Sequence, residues 1–186
     1  MKSLELFKLD EVDHLVTPSD FDLISIHSSA LSLFDDFKSY KALFINEKTK
    51  AVDAHEFMER YRFDYNIVVE DSGECVGIVS LEDLSDMRLI KAVSQGYDRD
   101  ELLVCDVMIK RDQISAFDFD TLEHAHVIDV LETLKRNGLN YSLVVEHENH
   151  EIRGVISANE IAKRLRIPFE LSKPPTFAEI FRIIHK

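Results

Sequence analysis

One segment of this chain occurs twice. Residues 66–84 read NIVVEDSGECVGIVSLEDL and residues 142–165 read SLVVEHENHEIRGVISANEIAKRL. Leu143-Val144-Val145-Glu146 repeats Ile67-Val68-Val69-Glu70, and Gly154-Val155-Ile156-Ser157 repeats Gly77-Ile78-Val79-Ser80. The second copy carries one extra turn residue. Each copy reads as a β-branched strand, a polar turn, a second strand and the start of a helix. A pattern that returns after 76–77 residues is an internal duplication.

The rest of the chain fits around the two copies. Before the first hairpin, residues 29–38 precede a strand-like stretch at 41–45. A helix follows at 49–61, with Ala51, Ala54, Phe57, Met58 and Tyr61 at helical spacing. After the hairpin a second helix is predicted over 81–93. Polar residues 94–101, SQGYDRDE, read as a linker. The second half opens on 102–108 and continues with a strand at 114–119. One helix is predicted over 121–137, striped by Leu122, Ala125, Ile128, Leu131 and Leu134 and stopped by Gly138. Its hairpin and a helix at 158–166 complete the copy. The fold class is therefore α+β, strand-helix-strand-strand-helix used twice. The divisions are an arm at 1–27, units at 28–93 and 102–167, the linker between them, and a tail at 168–186. In the tail, Thr176 and Glu179 fit a capping box, and Phe177, Ile180, Phe181 and Ile184 form an apolar face. So short a helix needs a surface to dock on, and the chain's own core is the expected one.

Composition narrows the function classes. A formal net charge of −13 opposes phosphate-backbone binding, so no nucleic-acid partner is expected. No apolar run reaches the length of a membrane span, and the N-terminus has acids where a signal peptide would be apolar. Two cysteines far apart in sequence, Cys75 and Cys105, read as small buried hydrophobes in a reduced, cytoplasmic protein. No nucleophile elbow, P-loop or paired metal motif appears, so neither catalysis nor a metal site is expected; His124 and His126 do not share a helix face, His147 and His150 lie in an acidic turn, and the sequence shows no convergence of the four.

The doubled unit, the sequence Val104, Asp106, Val107, Met108 ahead of the second copy, the paired valines, Gly77 and Gly154, and Ser80 and Ser157 together resemble a tandem pair of CBS (cystathionine β-synthase) domains, a Bateman module. The resemblance covers about residues 28–167. The first copy departs at its head, where ALSLFDDF stands in place of an Asp-x-Met leader. In wording the chain is similar to stand-alone CBS-pair proteins of proteobacteria, without an attached enzyme. The resemblance implies two units related by a pseudo-two-fold axis, sheets face to face, two clefts between them, and pairing into a homodimer. It also implies a ligand carrying adenosine: AMP, ADP, ATP or S-adenosylmethionine.

By that resemblance the ligand residues are Ser80 and Asp83 in the first copy and Ser157 and Glu160 in the second. Each acid would grip the ribose hydroxyls and each serine would face a phosphate. Ile78, Ile67, Val155 and Leu143 would sandwich the adenine, and the backbone near Ala42 and Ser115 would read its edge. Arg88 and Arg164, a helical turn beyond the acids, are the thin supply of phosphate partners. The same Ser-x-x-acid pattern is also a capping box. That reading is the favoured one for Ser157 and Glu160, and it stands level with ribose binding for Ser80 and Asp83, so one working site keyed on Asp83 is expected. The function expected is a regulatory, ligand-sensing module with an unknown protein partner. The alternative is a ligand-free interaction or dimerisation module whose clefts are plugged by side chains.

Overall fold

A computed structural model describes residues 24–39, 42–85, 101–167 and 176–184. Its eight strands are β1 (Asp35–Asp36), β2 (Phe44–Asn46), β3 (Tyr65–Val69), β4 (Cys75–Ser80), β5 (Ile109–Lys110), β6 (Ala116–Asp118), β7 (Tyr141–Glu146) and β8 (Glu151–Ser157). The helices are α1 (Ala51–Tyr61), α2 (Val104–Val107), α3 (Phe119–Glu123), α4 (Val127–Asn137), α5 (Ala158–Arg164) and α6 (Phe177–Ile184). The N-terminal arm before residue 24, most of the 81–93 helix and of the linker, Arg88 among them, and residues 168–175 lie outside the described residues.

The duplication is carried into the sheets. One has the order β2-β3-β4-β5 and the other β1-β8-β7-β6. In each, a parallel pair (β2 with β3, β6 with β7) is followed by an antiparallel hairpin. Both hairpins carry a register shift at the same place in the repeat, Val68/Val69 and Val144/Val145. The fourth strand of each sheet comes from the other half of the chain. β1 pairs with β8 and β5 pairs with β4.

The exchange extends to the lead-in segments. Leu102 accepts from Ala51 N–H and Val104 donates to Thr49, tying the second leader to the start of α1. Likewise Ala30 N–H donates to Ala125 and Val127 N–H to Ser28, tying the first leader to the start of α4. This second docking breaks the helix expected over 121–137. The Ala125 carbonyl and the Val127 and Ile128 N–H groups bond the first leader instead of their own helix, so α3 ends at Glu123 and α4 begins at Val127. Asp129 then caps the new start by accepting from His126 N–H at 2.8 Å.

Both repeat glycines lie where a borrowed leader crosses the sheet. A Cβ on Gly77 would lie 2.6 Å from the Ile109 carbonyl and from Met108 Sδ. A Cβ on Gly154 would strike the Asp35 carbonyl and the Phe34 ring. Phe34 therefore stands where Met108 stands in the other half, and Asp35 where Ile109 stands. The first leader, which lacks the Asp-x-Met wording, does the same work with different residues.

Strand alternation divides the core. Val68, Val79, Val144 and Ile156 point to the helices, whereas Ile67, Ile78, Leu143 and Val155 point to the opposite sheet and form one buried cluster. The sheets thus meet face to face. α6 docks on this protein's own core as its apolar face requires: Phe177 and Ile180 are buried among the residues of α4 and α5, Lys135 Nζ lies 3.7 Å over the Phe181 ring, and Thr176 and Glu179 form the capping box.

Candidate functional site

A cavity of about 170 Å³ opens where the two halves meet. The approach to β2 supplies Ala42 and Leu43, the run into β3 supplies Asp64 to Ile67, and β8 with α5 supplies Val155 and Glu160. Asp35 and Phe37 of the first leader and Arg62, the left-handed cap of α1, complete the rim and wall. Four residues singled out in the sequence, Ala42, Ile67, Val155 and Glu160, therefore meet around one space, drawn from both copies. Ile78 and Leu143, expected beside them at the adenine, share the buried cluster with Ile67 and Val155 but do not line the cavity.

The two closing motifs differ. Asp83 is turned back on its own turn. Its Oδ2 accepts from Ser80 N–H at 3.0 Å and from Ser80 Oγ at 2.6 Å, while Asp83 N–H donates to Ser80 Oγ at 3.2 Å. Both arms of a capping box are filled, and Asp83 is 7% exposed. In the second copy only one arm forms: Ser157 Oγ accepts from Glu160 N–H at 3.2 Å. The Glu160 carboxylate reaches forward to Lys163 and lines the cavity. The full capping box, expected at Ser157 and Glu160, is formed by Ser80 and Asp83, and the acid that lines a cavity is Glu160 where Asp83 was expected. Lys163, one turn on, offers Glu160 a cation that draws its carboxylate forward.

Other expected contacts are taken up locally. The Ser115 carbonyl accepts from Ser142 Oγ at 3.1 Å and from Leu143 N–H. Arg164 bonds the Ser32 carbonyl and Asp35, so it anchors the first leader. A second, wider hollow of about 500 Å³ lies beyond, lined by Phe34, Phe119, Arg153 and Arg164. Its arginines are engaged as well: Arg153 holds both oxygens of Asp36, each at 3.0 Å, and Glu146 at 2.7 Å, and lies 4.2 Å over the Phe119 ring.

Acids from three elements face the first cavity. Burial pushes the Asp35 carboxyl up in spite of the Arg164 guanidinium beside it. Burial also raises Asp64, against the opposing hydrogen bond from Asn159 Nδ2. Asn66, 4% exposed, lines the same cavity with its Oδ1 lacking a hydrogen-bond partner. Sequence reasoning missed Asp35, Asp64 and Asn66. Only their places in the repeat, beside the leader and at the mouth of β3, could have pointed to them. Among the described residues, no three His, Cys, Asp or Glu side chains converge as metal ligands, and no helix is long and apolar enough to cross a membrane.

The CBS domain family model matches residues 35–89 and 121–167, more than half of the chain. This protein belongs to the CBS domain family. The two matches fall on the two copies, so it is a tandem CBS pair. Similar solved structures include an uncharacterized conserved protein from Pyrococcus horikoshii, with a TM-score of 0.58 and 15% identity over 79% of this chain and 98% of that one. A second is CBSX2 in complex with AMP, with a TM-score of 0.52 and 17% identity over 73% of this chain and 94% of that one. A third is the CBS domain of a bacterial CNNM/CorC family Mg2+ transporter in complex with ATP, with a TM-score of 0.53 and 14% identity over 77% and 91% of the two chains. At these identities the likeness is one of fold. No curated protein matches the CBS pair.

Proposed function

We propose that this CBS pair is a regulatory, non-catalytic module that senses an adenosine-containing ligand, AMP, ADP, ATP or S-adenosylmethionine, in the Glu160 cavity. The observation that carries the reading is the convergence of Ala42, Ile67, Val155 and Glu160 on one space between the halves. Apolar Ile67 and Val155 suit a base, and a carboxylate without its backward capping bond suits a pair of ribose hydroxyls. The complexes of similarly folded proteins with AMP and with ATP support the ligand class. The thiols of Cys75 and Cys105 are pushed up by burial, which suits packing rather than nucleophilic roles.

Because the cavity wall comes from both halves, an occupant bears on their mutual arrangement, and a binding partner or a second copy of the chain reads the change. Leu43, Phe44 and Tyr61, each about half exposed, offer apolar surface near its mouth. Titration calorimetry of the wild-type protein with AMP, ADP, ATP and S-adenosylmethionine tests the reading. Saturable binding that is lost in Glu160→Ala is expected. Absence of binding at millimolar ligand by a folded protein overturns it. The filled capping box at Asp83 and the hydrogen bonds taken by the Ser115 carbonyl engage both groups within the chain, which favours a single working site at Glu160.

A further inference from the structure

The wall of the Glu160 cavity is built of hydrogen-bond acceptors. Asp35, Asp64 and Glu160 bring three carboxyl groups to it, and Asn66 adds a buried Oδ1 without a partner. Arg62 is the one cation lining it among the described residues. The other nearby cations act from behind the wall: Arg164 is bonded to Asp35 and the Ser32 carbonyl, and Lys163 to Glu160. A comparison within the molecule makes Asp35 telling. β1 pairs Asp35 with Val155 as β5 pairs Ile109 with Ile78, so the equivalent position in the other half is apolar. The acid is no requirement of the strand pairing; it holds Arg164 and lines the cavity.

We infer that the cavity selects against phosphate and takes an adenosine group whose 5′ substituent is uncharged or cationic, as in adenosine or S-adenosylmethionine. The inference rests on the adenosine reading proposed above and narrows it. Ribose hydroxyls and the exocyclic amine of adenine are donors and match the acceptors of the wall. A phosphate brings only acceptors and at least one negative charge toward carboxylates that are partly removed from water, where like charges repel more strongly. Size bears on the triphosphate alone: pockets that enclose drug-sized ligands run to about 300–1,000 Å³, so a cavity of 170 Å³ accommodates a nucleoside better than ATP, while S-adenosylmethionine is preferred over AMP by charge and not by size.

The experiment is a calorimetric comparison of adenosine, S-adenosylmethionine, AMP and ATP on the wild-type protein at one pH and low salt, repeated with Asp35→Asn. Adenosine and S-adenosylmethionine are expected to bind about tenfold or more tightly than AMP and ATP, less than one bare like-charge contact at intermediate dielectric would give, because Arg62, Lys163 and Arg164 offset part of the repulsion. Asp35→Asn, which keeps the side-chain volume, is expected to narrow the gap by strengthening AMP binding. If AMP or ATP binds as tightly as adenosine, the selectivity inference is overturned while the adenosine reading stands. If none of the four binds, the adenosine reading falls and the inference with it. The wild-type comparison decides the matter even if the variant misfolds.

Discussion

Asn159 Nδ2 donates to the Asp64 carboxylate, joining the first turn of α5 to the segment that enters β3. One residue comes from each copy of the repeat, so the bond ties the halves together beside the cavity. Asp64→Ala removes the acceptor and leaves a nearly buried amide unsatisfied, at an expected cost of about 1–3 kcal/mol. Asp64→Asn keeps an acceptor and costs less. The pH dependence has a definite sign. Burial raises the native carboxyl above its value of 3.8 in the unfolded chain, so the folded state holds the proton more tightly. Asp64 therefore detracts from stability as pH rises through the window above 3.8, and thermal midpoints between pH 4 and 8 are expected to fall more in the wild type than in Asp64→Asn.

Arg153 is bound to two acids whose carboxyls shift the other way. Asn149 and Lys38 hydrogen bonds hold Glu146 at about 2, and Arg153 lowers Asp36. The stability that Glu146 contributes is complete above 4.5 and is lost as pH falls toward 2. Arg153→Met is expected to destabilise the protein measurably by leaving Asp36 and Glu146 without their guanidinium, the exposure of the groups keeping the loss well below that of a fully buried pair. Acid-unfolding curves read by circular dichroism check both statements, the variant losing less than the wild type on acidification.

The two closing acids separate stability from binding. Asp83→Ala removes a capping box and is expected to cost about 0.5–2 kcal/mol in urea denaturation while leaving ligand affinity at the Glu160 cavity unchanged. Glu160→Gln is expected to weaken the adenosine ligand about tenfold or more with little change in the urea midpoint. Equal loss of affinity in both variants would mean the site lies at Asp83 after all.

Gly154→Ala and Gly77→Ala place a methyl group against a crossing leader. Each is expected to destabilise the protein by about 1–3 kcal/mol through overpacking. Because the struck leader belongs to the opposite half, hydrogen exchange is expected to rise at residues 34–36 in the first variant and at 108–110 in the second.

Ile180, on the inner face of α6, is fully buried. Ile180→Ala is expected to cost about 2–5 kcal/mol, measured by chemical denaturation, and to release the helix from α4.

How much of this could be read beforehand differs from residue to residue. Ile67, Val68, Ile78 and Val79 announced their strands, because β-branched runs beside polar turns are a local signal. Thr176 and Glu179 announced a helix start for the same reason. The break at residues 124–126 was hidden, since the apolar stripe from Leu122 to Leu134 is continuous and only docking of Ser28 and Ala30 interrupts it. Asp83 and Glu160 share one motif, and no local rule says which turns back.

The amino-acid order alone determined the duplication, the paired hairpins and the family, because each depends on neighbours along the chain or on a copy of itself. The tertiary structure decided the exchange of β1 and β5 between the sheets, the filled cap at Asp83, and the meeting of Asp35, Asp64, Asn66 and Glu160 around one cavity. Those outcomes depend on which segments, far apart in sequence, share the same volume, and close packing across the pseudo-symmetry axis settles that only when the whole chain is assembled.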